Sequence, residues 1–292
     1  MSKNCLSCPR QCFADRENQK GFCGADNTFR LARAALHHWE EPCISGTNGS
    51  GTVFFSGCSL KCVYCQNYEI SHNFYGKDIT DGRLLEIFDE LIEQGAHNIN
   101  LVNPTHYADK IIKVLQKKKP PVPIVYNTGG YEKVDTLKKL EGIVDIYLTD
   151  LKYFDSKVAL KYSKAEDYFD YASSALIEMK RQKPDDIFDD NGIMQKGVIV
   201  RNLILPGNIS QSIKVLDFIA DNLSNKTIVS LMSQYTPCAE AGDYPTINRR
   251  LTKREYNTVL NHLIGLGFEN AYVQELSSAK EEYVPPFDLT GV

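Results

Sequence analysis

The chain has 292 residues, a formal net charge of −4, a pI near 5.9 and 42% hydrophobic residues, enough for one large α/β domain or two ordinary ones. Its charges are scattered in sign rather than blocked, which excludes the basic stripe that nucleic-acid binding needs. No stretch approaches the roughly 20 apolar residues of a membrane span, so the expectation is a cytoplasmic protein that engages neither nucleic acid nor membrane.

The first residues, "MSKNCLSCPRQC", contain no apolar core of signal-peptide length. Cys5, Cys8, Cys12 and Cys23 follow a C-x2-C-x3-C-x10-C spacing, with Pro9 and Gly21 placed for tight turns. Four thiolates in so short a segment could hold zinc, a single iron or a second iron-sulfur cluster, and spacing does not decide among them. The chain has nine cysteines, an odd number that matches a disulfide framework poorly. Residues 1–45 read as a cysteine-rich, metal-binding appendage outside the sheet, and residues 46–292 as the main domain.

From residue 52 onward, short apolar runs alternate with segments of helical period. "TVFFS", "NINLV", "VPIVYN", "DIYLTD", "GVIVRNLIL" and "TIVSLM" are predicted strands. Between the first two, Leu84, Ile87, Phe88, Leu91 and Ile92 share one helix face, with Thr80 as N-cap and Gly95 past the end. Lys117, Lys118 and Lys119 sit at a helix end ahead of Pro120 and Pro121, where cations meet the negative end of the dipole. The acidic stretch "KPDDIFDDNGIMQK", residues 183–196, reads as a surface insertion. Near the C-terminus, Thr252 and Glu255 form a capping-box pattern ahead of Tyr256, Val259, Leu260, Leu263 and Ile264. Buried strands alternating with helices imply a parallel sheet, doubly wound or curled into a full or partial barrel, with ligands at the C-terminal ends of the strands.

Directly after the first of these strands, "SGCSLKCVYCQN" places Cys58, Cys62 and Cys65 within eight positions. Three thiolates so spaced can close around one corner of an iron-sulfur cube and leave the fourth iron open to a small molecule. A zinc site normally takes four closed ligands or a nearby histidine or carboxylate, and three free thiols this close would be prone to oxidation. Cys43 and Cys238 stand alone and read as buried thiols, although Cys238 follows "QYTP" at a strand end, where a catalytic thiol is the alternative.

The triplet, with Tyr64 in the aromatic position before Cys65, resembles the signature of the radical S-adenosylmethionine (SAM) family. The resemblance implies an α/β fold, a partial (βα)6 barrel, in which Cys58, Cys62 and Cys65 hold a 4Fe-4S cluster and SAM chelates the open iron. Reductive cleavage would then give methionine and a 5′-deoxyadenosyl radical that abstracts hydrogen from a substrate. "CLSCPRQC", "EEPCISG", "YNTGGYE", "DIYLTDLKYFD", "VIVRNLILPG" and "LMSQYTP" are similar to the PflX-type branch, proteins compared with pyruvate formate-lyase activating enzymes. That similarity implies an electron donor such as flavodoxin or ferredoxin and a glycyl-radical protein substrate, with modification of a peptide or small molecule as the alternative. A non-catalytic iron-sulfur electron carrier is the reading from another class, but it leaves the α/β body without a purpose.

Carried over residue by residue, Asp150 and Lys152 match a D-x-K motif; being two apart on a strand, they point to one face. They are expected to order the polar groups of SAM or to help hold a monovalent cation, the plain alternative being an ion pair without consequence. Asn127 and Thr128 replace an Asp-Thr pair. "LVNPTH" replaces a Gly-Gly-Glu segment, so Asn103 and Thr105 are expected to receive the SAM amino group in the absence of the carboxylate. Tyr64, Asn67, Arg201 and Gln234 complete the expected cofactor-binding set. His106 could face the cavity as a proton relay, although a lone histidine after a strand is more often a packing residue. Tyr126, Tyr131 and Tyr153 read as pocket walls or core, while Arg201, Gln234 and Tyr235 fall where the resemblance implies contacts to the adenosyl moiety, with barrel-core lining as the alternative.

Overall fold

Runs rich in β-branched residues, each too short for a helix, build the sheet at the centre of this computed structural model, which describes residues 4–274, 276 and 285–292. Its strands are β1 (Phe29–His37), β2 (Ser50–Phe55), β3 (Lys77–Ile79), β4 (Ile99–Val102), β5 (Ile124–Thr128), β6 (Ile146–Asp150), β7 (Ile187–Phe188), β8 (Met194–Leu203), β9 (Ile228–Met232) and β10 (Ala271–Val273). The order is β10-β9-β8-β6-β5-β4-β2-β1-β3, with β2, β4, β5, β6, β8, β9 and β10 mutually parallel. All six predicted strands are present. β10 adds a seventh parallel strand that its short, partly exposed sequence does not announce.

The expected boundary at residue 45 does not hold, because β1 pairs antiparallel with β2 from Leu31–Phe55 to His37–Ser50 and belongs to the sheet. β3 extends that edge by pairing antiparallel with β1. The acidic 183–196 stretch is likewise more than a surface loop, since Ile187 and Phe188 pair antiparallel with the start of β8.

The two helices with predicted caps carry them. Thr80 accepts a hydrogen bond from the Arg83 backbone N–H at the start of helix Asp81–Glu93, and Thr252 with Glu255 makes a reciprocal capping box at helix Lys253–Gly265. Val259 and Leu263 of the latter are buried, while Ile264, expected on the same face, is 67% exposed. Lys118 and Lys119 pair with Asp89 and Asp145 on the surface. Among the described residues no helix is long and apolar enough to cross a membrane.

Strand alternation sorts side chains onto two faces. Tyr126, Tyr147, Val198, Val200, Val229 and Leu231 join the main core. Val125, Ile146, Leu148, Ile199 and Ile228, on the opposite face, pack against Cys43 and Ile44. The short helix Pro42–Ser45 therefore plugs this face near the strand starts. Two residues further along the same strands the face turns polar, with Asn127, Asp150, Arg201 and Ser230.

Candidate active site

A cavity of about 550 Å3, within the ~300–1,000 Å3 range of small-molecule sites, opens over this polar layer; Cys62, Tyr64, Cys65, Asn67, Asn127, Asp150, Lys152, Arg201 and Gln234 are among its lining residues. The cysteine loop enters it from the end of β2. Gly57 has φ +95°, and a Cβ there would lie 2.7 Å from the Cys23 carbonyl oxygen, so only glycine lets the loop lie against the N-terminal segment.

Each sulfur of the triplet meets its own neutral donor. Asn103 Nδ2 donates to Cys58 Sγ at 3.2 Å, Ser163 Oγ to Cys62 Sγ at 3.0 Å, and Ser71 Oγ to Cys65 Sγ at 3.3 Å. Tyr64 and Tyr153 extend the second contact into a hydroxyl chain, Tyr64–Tyr153–Ser163–Cys62. Burial pushes the Cys62 thiol up and the Cys65 thiol to about 12. Thiols that are costly to ionise alone, yet already furnished with donors, suit a site where metal cations supply the missing charge.

Among the described residues no three His, Cys, Asp or Glu side chains stand in the geometry of a single-ion site. A cluster does not require one, because each cysteine binds its own iron. In the N-terminal group, Cys12 and Cys23 both flank Gly21, and Arg16 Nη2 donates to Cys23 Sγ at 3.3 Å.

The polar layer is a buried ionic network. Lys152 Nζ donates to Asp150 Oδ2, Arg201 Nε donates to Asp150 Oδ1 at 2.8 Å, and Arg201 Nη1 lies 3.2 Å from Glu40 Oε2. Asn100 and Asn127 both donate to Glu40 Oε1 at 3.1 Å, and Arg201 Nη2 donates to Asn127 Oδ1 at 2.6 Å. Burial alone would raise the Asp150 carboxyl; the Arg201 and Lys152 charges win and hold it below its usual range. The converse balance raises Lys152. Asp150 and Lys152 thus share a face, as their spacing implies, within a four-member network rather than an isolated pair.

Other expected residues are placed differently. Thr128 follows Asn127 on one strand and points to the opposite face; it is 2% exposed and donates to Glu132 Oε1. Thr105 is equally buried, and its one hydroxyl proton is shared between the same oxygen and Asn103 Oδ1, both within hydrogen-bond distance. Neither Thr105, Thr128 nor Asn103 lines the cavity. Asn103 and Thr105, expected to offer acceptors to the SAM amino group, instead bond Cys58 and Glu132 here, with Asn103 Oδ1 accepting from Thr105. Glu132, from "TGGYE", is fully buried between Thr105 and Thr128, and burial lifts it to about 7.

His106 is buried behind Gly57, bonded through Nε2 to the Ser56 carbonyl at 2.8 Å, and burial lowers it to about 3, which is the packing role rather than the relay. Cys238 donates to the Tyr64 carbonyl at 3.3 Å and does not line the cavity, so a catalytic thiol gains no support; Cys43 is core. Tyr126, Tyr131 and Tyr153 are core as well, and Tyr235 is both core and cavity wall. Sequence reasoning missed Glu40 and Glu41, although two adjacent acids ahead of the apolar "PCIS" were the available signal.

The Radical SAM superfamily profile matches residues 52–189. An uncharacterized protein of Methanocaldococcus jannaschii is 33% identical over 267 residues, 88% of this chain and 73% of that protein. The 7-carboxy-7-deazaguanine synthase of Methanothermobacter thermautotrophicus is 25% identical over 56% of this chain and 59% of its own length. Among solved structures, Streptococcus suis SuiB bound to S-adenosylmethionine aligns with a TM-score of 0.49 and 15% identity, over 77% of this chain and 47% of SuiB.

Proposed function

Since the chain belongs to the radical SAM superfamily, we propose that Cys58, Cys62 and Cys65 hold a 4Fe-4S cluster at which SAM is cleaved reductively so that hydrogen can be taken from a substrate in the cavity. The carrying observation is the triplet itself, three sulfurs with separate neutral donors and two of them in the wall of the cavity. When bound, the cluster would supply one electron to the carbon-sulfur bond of SAM, giving a 5′-deoxyadenosyl radical.

The protein's part is placement. Asp150 and Lys152 present a held carboxylate and ammonium beside Cys62, suited to the amino and carboxylate groups of SAM, and Arg201 with Glu40 locks them in position. Tyr64, Asn67, Asn127 and Gln234 border the space left for the nucleoside. Residues of the hydroxyl chain behind Cys62 fix the sulfur and keep water away from it. The polar layer already has its own cations, so a monovalent cation is a lesser proposal.

An external donor of the flavodoxin or ferredoxin kind would deliver the electron. Activation of a glycyl-radical partner rests on the PflX-type motifs alone. The N-terminal cysteines, one hydrogen bond from the triplet, remain a second metal site, zinc or iron-sulfur. Anaerobic reconstitution with iron and sulfide, addition of SAM and dithionite, and chromatography for 5′-deoxyadenosine test the proposal. Product is expected from the wild type and lost in Cys62→Ala; a wild type with a full cluster and no product overturns it.

A further inference from the structure

The cavity lining carries three carboxylates, Glu40, Glu41 and Asp150, against two cations, Lys152 and Arg201. His37 does not restore the balance, because burial lowers it to about 4 and leaves it neutral. Both oxygens of Asp150 are taken by Lys152 and Arg201, and both of Glu40 by Asn100, Asn127 and Arg201. Glu41 is the remainder. It is 8% exposed, its carbonyl is fixed by the N–H groups of Ile44 and Ser45, and its Oε2 is buried without a partner.

Two further lining atoms share that condition, Gln274 Oε1 and Thr236 Oγ1. The unspent polar atoms of this wall are therefore a carboxyl oxygen of Glu41, whose burial holds its pKa above the usual range, an amide oxygen and a hydroxyl. A buried carboxyl that desolvation disfavours as an anion, set beside oxygens without partners, regains its charge on meeting a group of N–H donors carrying positive charge. Glu41 also lies away from the cysteines: the line Lys152–Asp150–Arg201–Glu40 runs from Cys62 towards it, and its neighbours are Arg201 and Glu40 on that side and Ser230 and Tyr272 on the other. Trp39, Glu40, Pro42, Gln234 and Gln274 line both the cavity and an adjoining surface depression, which marks the open side of this wall.

We propose that Glu41 is the recognition carboxylate for the substrate, receiving an ammonium or guanidinium group that enters past Trp39 and Gln274. The inference rests on the reading of the cavity as the place where SAM and substrate meet. It defines the substrate class as a molecule or peptide side chain with a basic head. Hydrogen is taken from carbon lying between that head and the cluster.

The test is titration of the reconstituted, SAM-loaded protein with n-butylguanidinium and n-butylammonium, against the neutral shape-mimic n-butylurea. Binding is read by calorimetry and by fluorescence of Trp39, the single tryptophan of the chain. Wild type should bind the cations about tenfold or more tighter than the urea, and Glu41→Gln should erase that preference. Gln274→Ala gives the independent check, with guanidinium affinity falling more than ammonium affinity because a planar donor fork loses a partner. Equal affinity for cation and urea, or an unchanged preference in Glu41→Gln, overturns the proposal. So does a roughly tenfold loss of SAM affinity in Glu41→Gln with the cation preference retained once SAM is saturating, since Glu41 would then serve the cofactor. Failure of the wider SAM reading would be distinguishable, because it appears in the wild type as absence of 5′-deoxyadenosine whatever the probes do.

Discussion

The backbone N–H of Cys58 donates to the carbonyl of Cys23 at 3.3 Å, joining the first cysteine of the triplet to the last of the N-terminal group. Arg10 reinforces the joint, donating to the Ser59 carbonyl at 2.7 Å, to the Ser163 carbonyl at 2.9 Å and to the Lys164 carbonyl. The N-terminal segment therefore clamps the cluster loop and the segment that carries Ser163. Arg10→Ala is expected to cost about 2 kcal/mol of stability and to speed cluster loss to a chelator, followed by visible absorbance. Unchanged loss kinetics would separate the two cysteine groups functionally.

The Arg201 guanidinium sits between two carboxylates, and its side chain is 13% exposed. Arg201→Met leaves Glu40 and Asp150 facing each other and should destabilise by about 3–5 kcal/mol. Adding Glu40→Gln to that variant should recover part of the loss, with a coupling of roughly 0.5–3 kcal/mol in a double-mutant cycle from denaturant unfolding. Strict additivity would mean that the ions do not act as a network.

Ser163 ends the hydroxyl chain on Cys62 Sγ. A hydrogen bond to a cluster sulfur favours the reduced state, which carries more negative charge. Ser163→Ala should therefore shift the midpoint potential to a more negative value at unchanged iron content. Tyr64→Phe should shift it the same way by less. An EPR-monitored redox titration checks both, and a positive shift contradicts the role.

Glu132 has its folded pKa raised to about 7 from 4.5, first by burial. Between those values the folded state holds a proton that the unfolded chain has released. Stability is thus fully present below pH 4.5 and declines as pH rises towards 7, by an amount on the order of 3 kcal/mol. Glu132→Gln keeps the Thr105 and Thr128 contacts without the titration. The stability difference between wild type and variant should change across that window and be flat above it; no change would mean that Glu132 ionises freely.

Spacing made much of this legible. The triplet, six strands and two capped helices follow from local pattern, and the shared face of Asp150 and Lys152 follows from alternation. The same alternation already forbade Asn127 and Thr128 from facing one cavity. β1 stayed hidden because "FRLARAALH" mixes alanine and arginine into what pairing alone makes a strand. Glu40, Glu41 and Glu132 were visible as residues in "EEPCISG" and "YNTGGYE", but their partners were not. Each enters its place through a reversal of the chain, and no local periodicity records which strands such a reversal will meet.

The most direct test concerns the iron that no protein side chain claims. Electron-nuclear double resonance on the reduced, SAM-loaded protein, with 15N in the amino group of SAM, should reveal coupling between that nitrogen and the cluster. A four-iron cluster lacking that coupling, or a cluster whose irons all carry cysteine, would contradict the account.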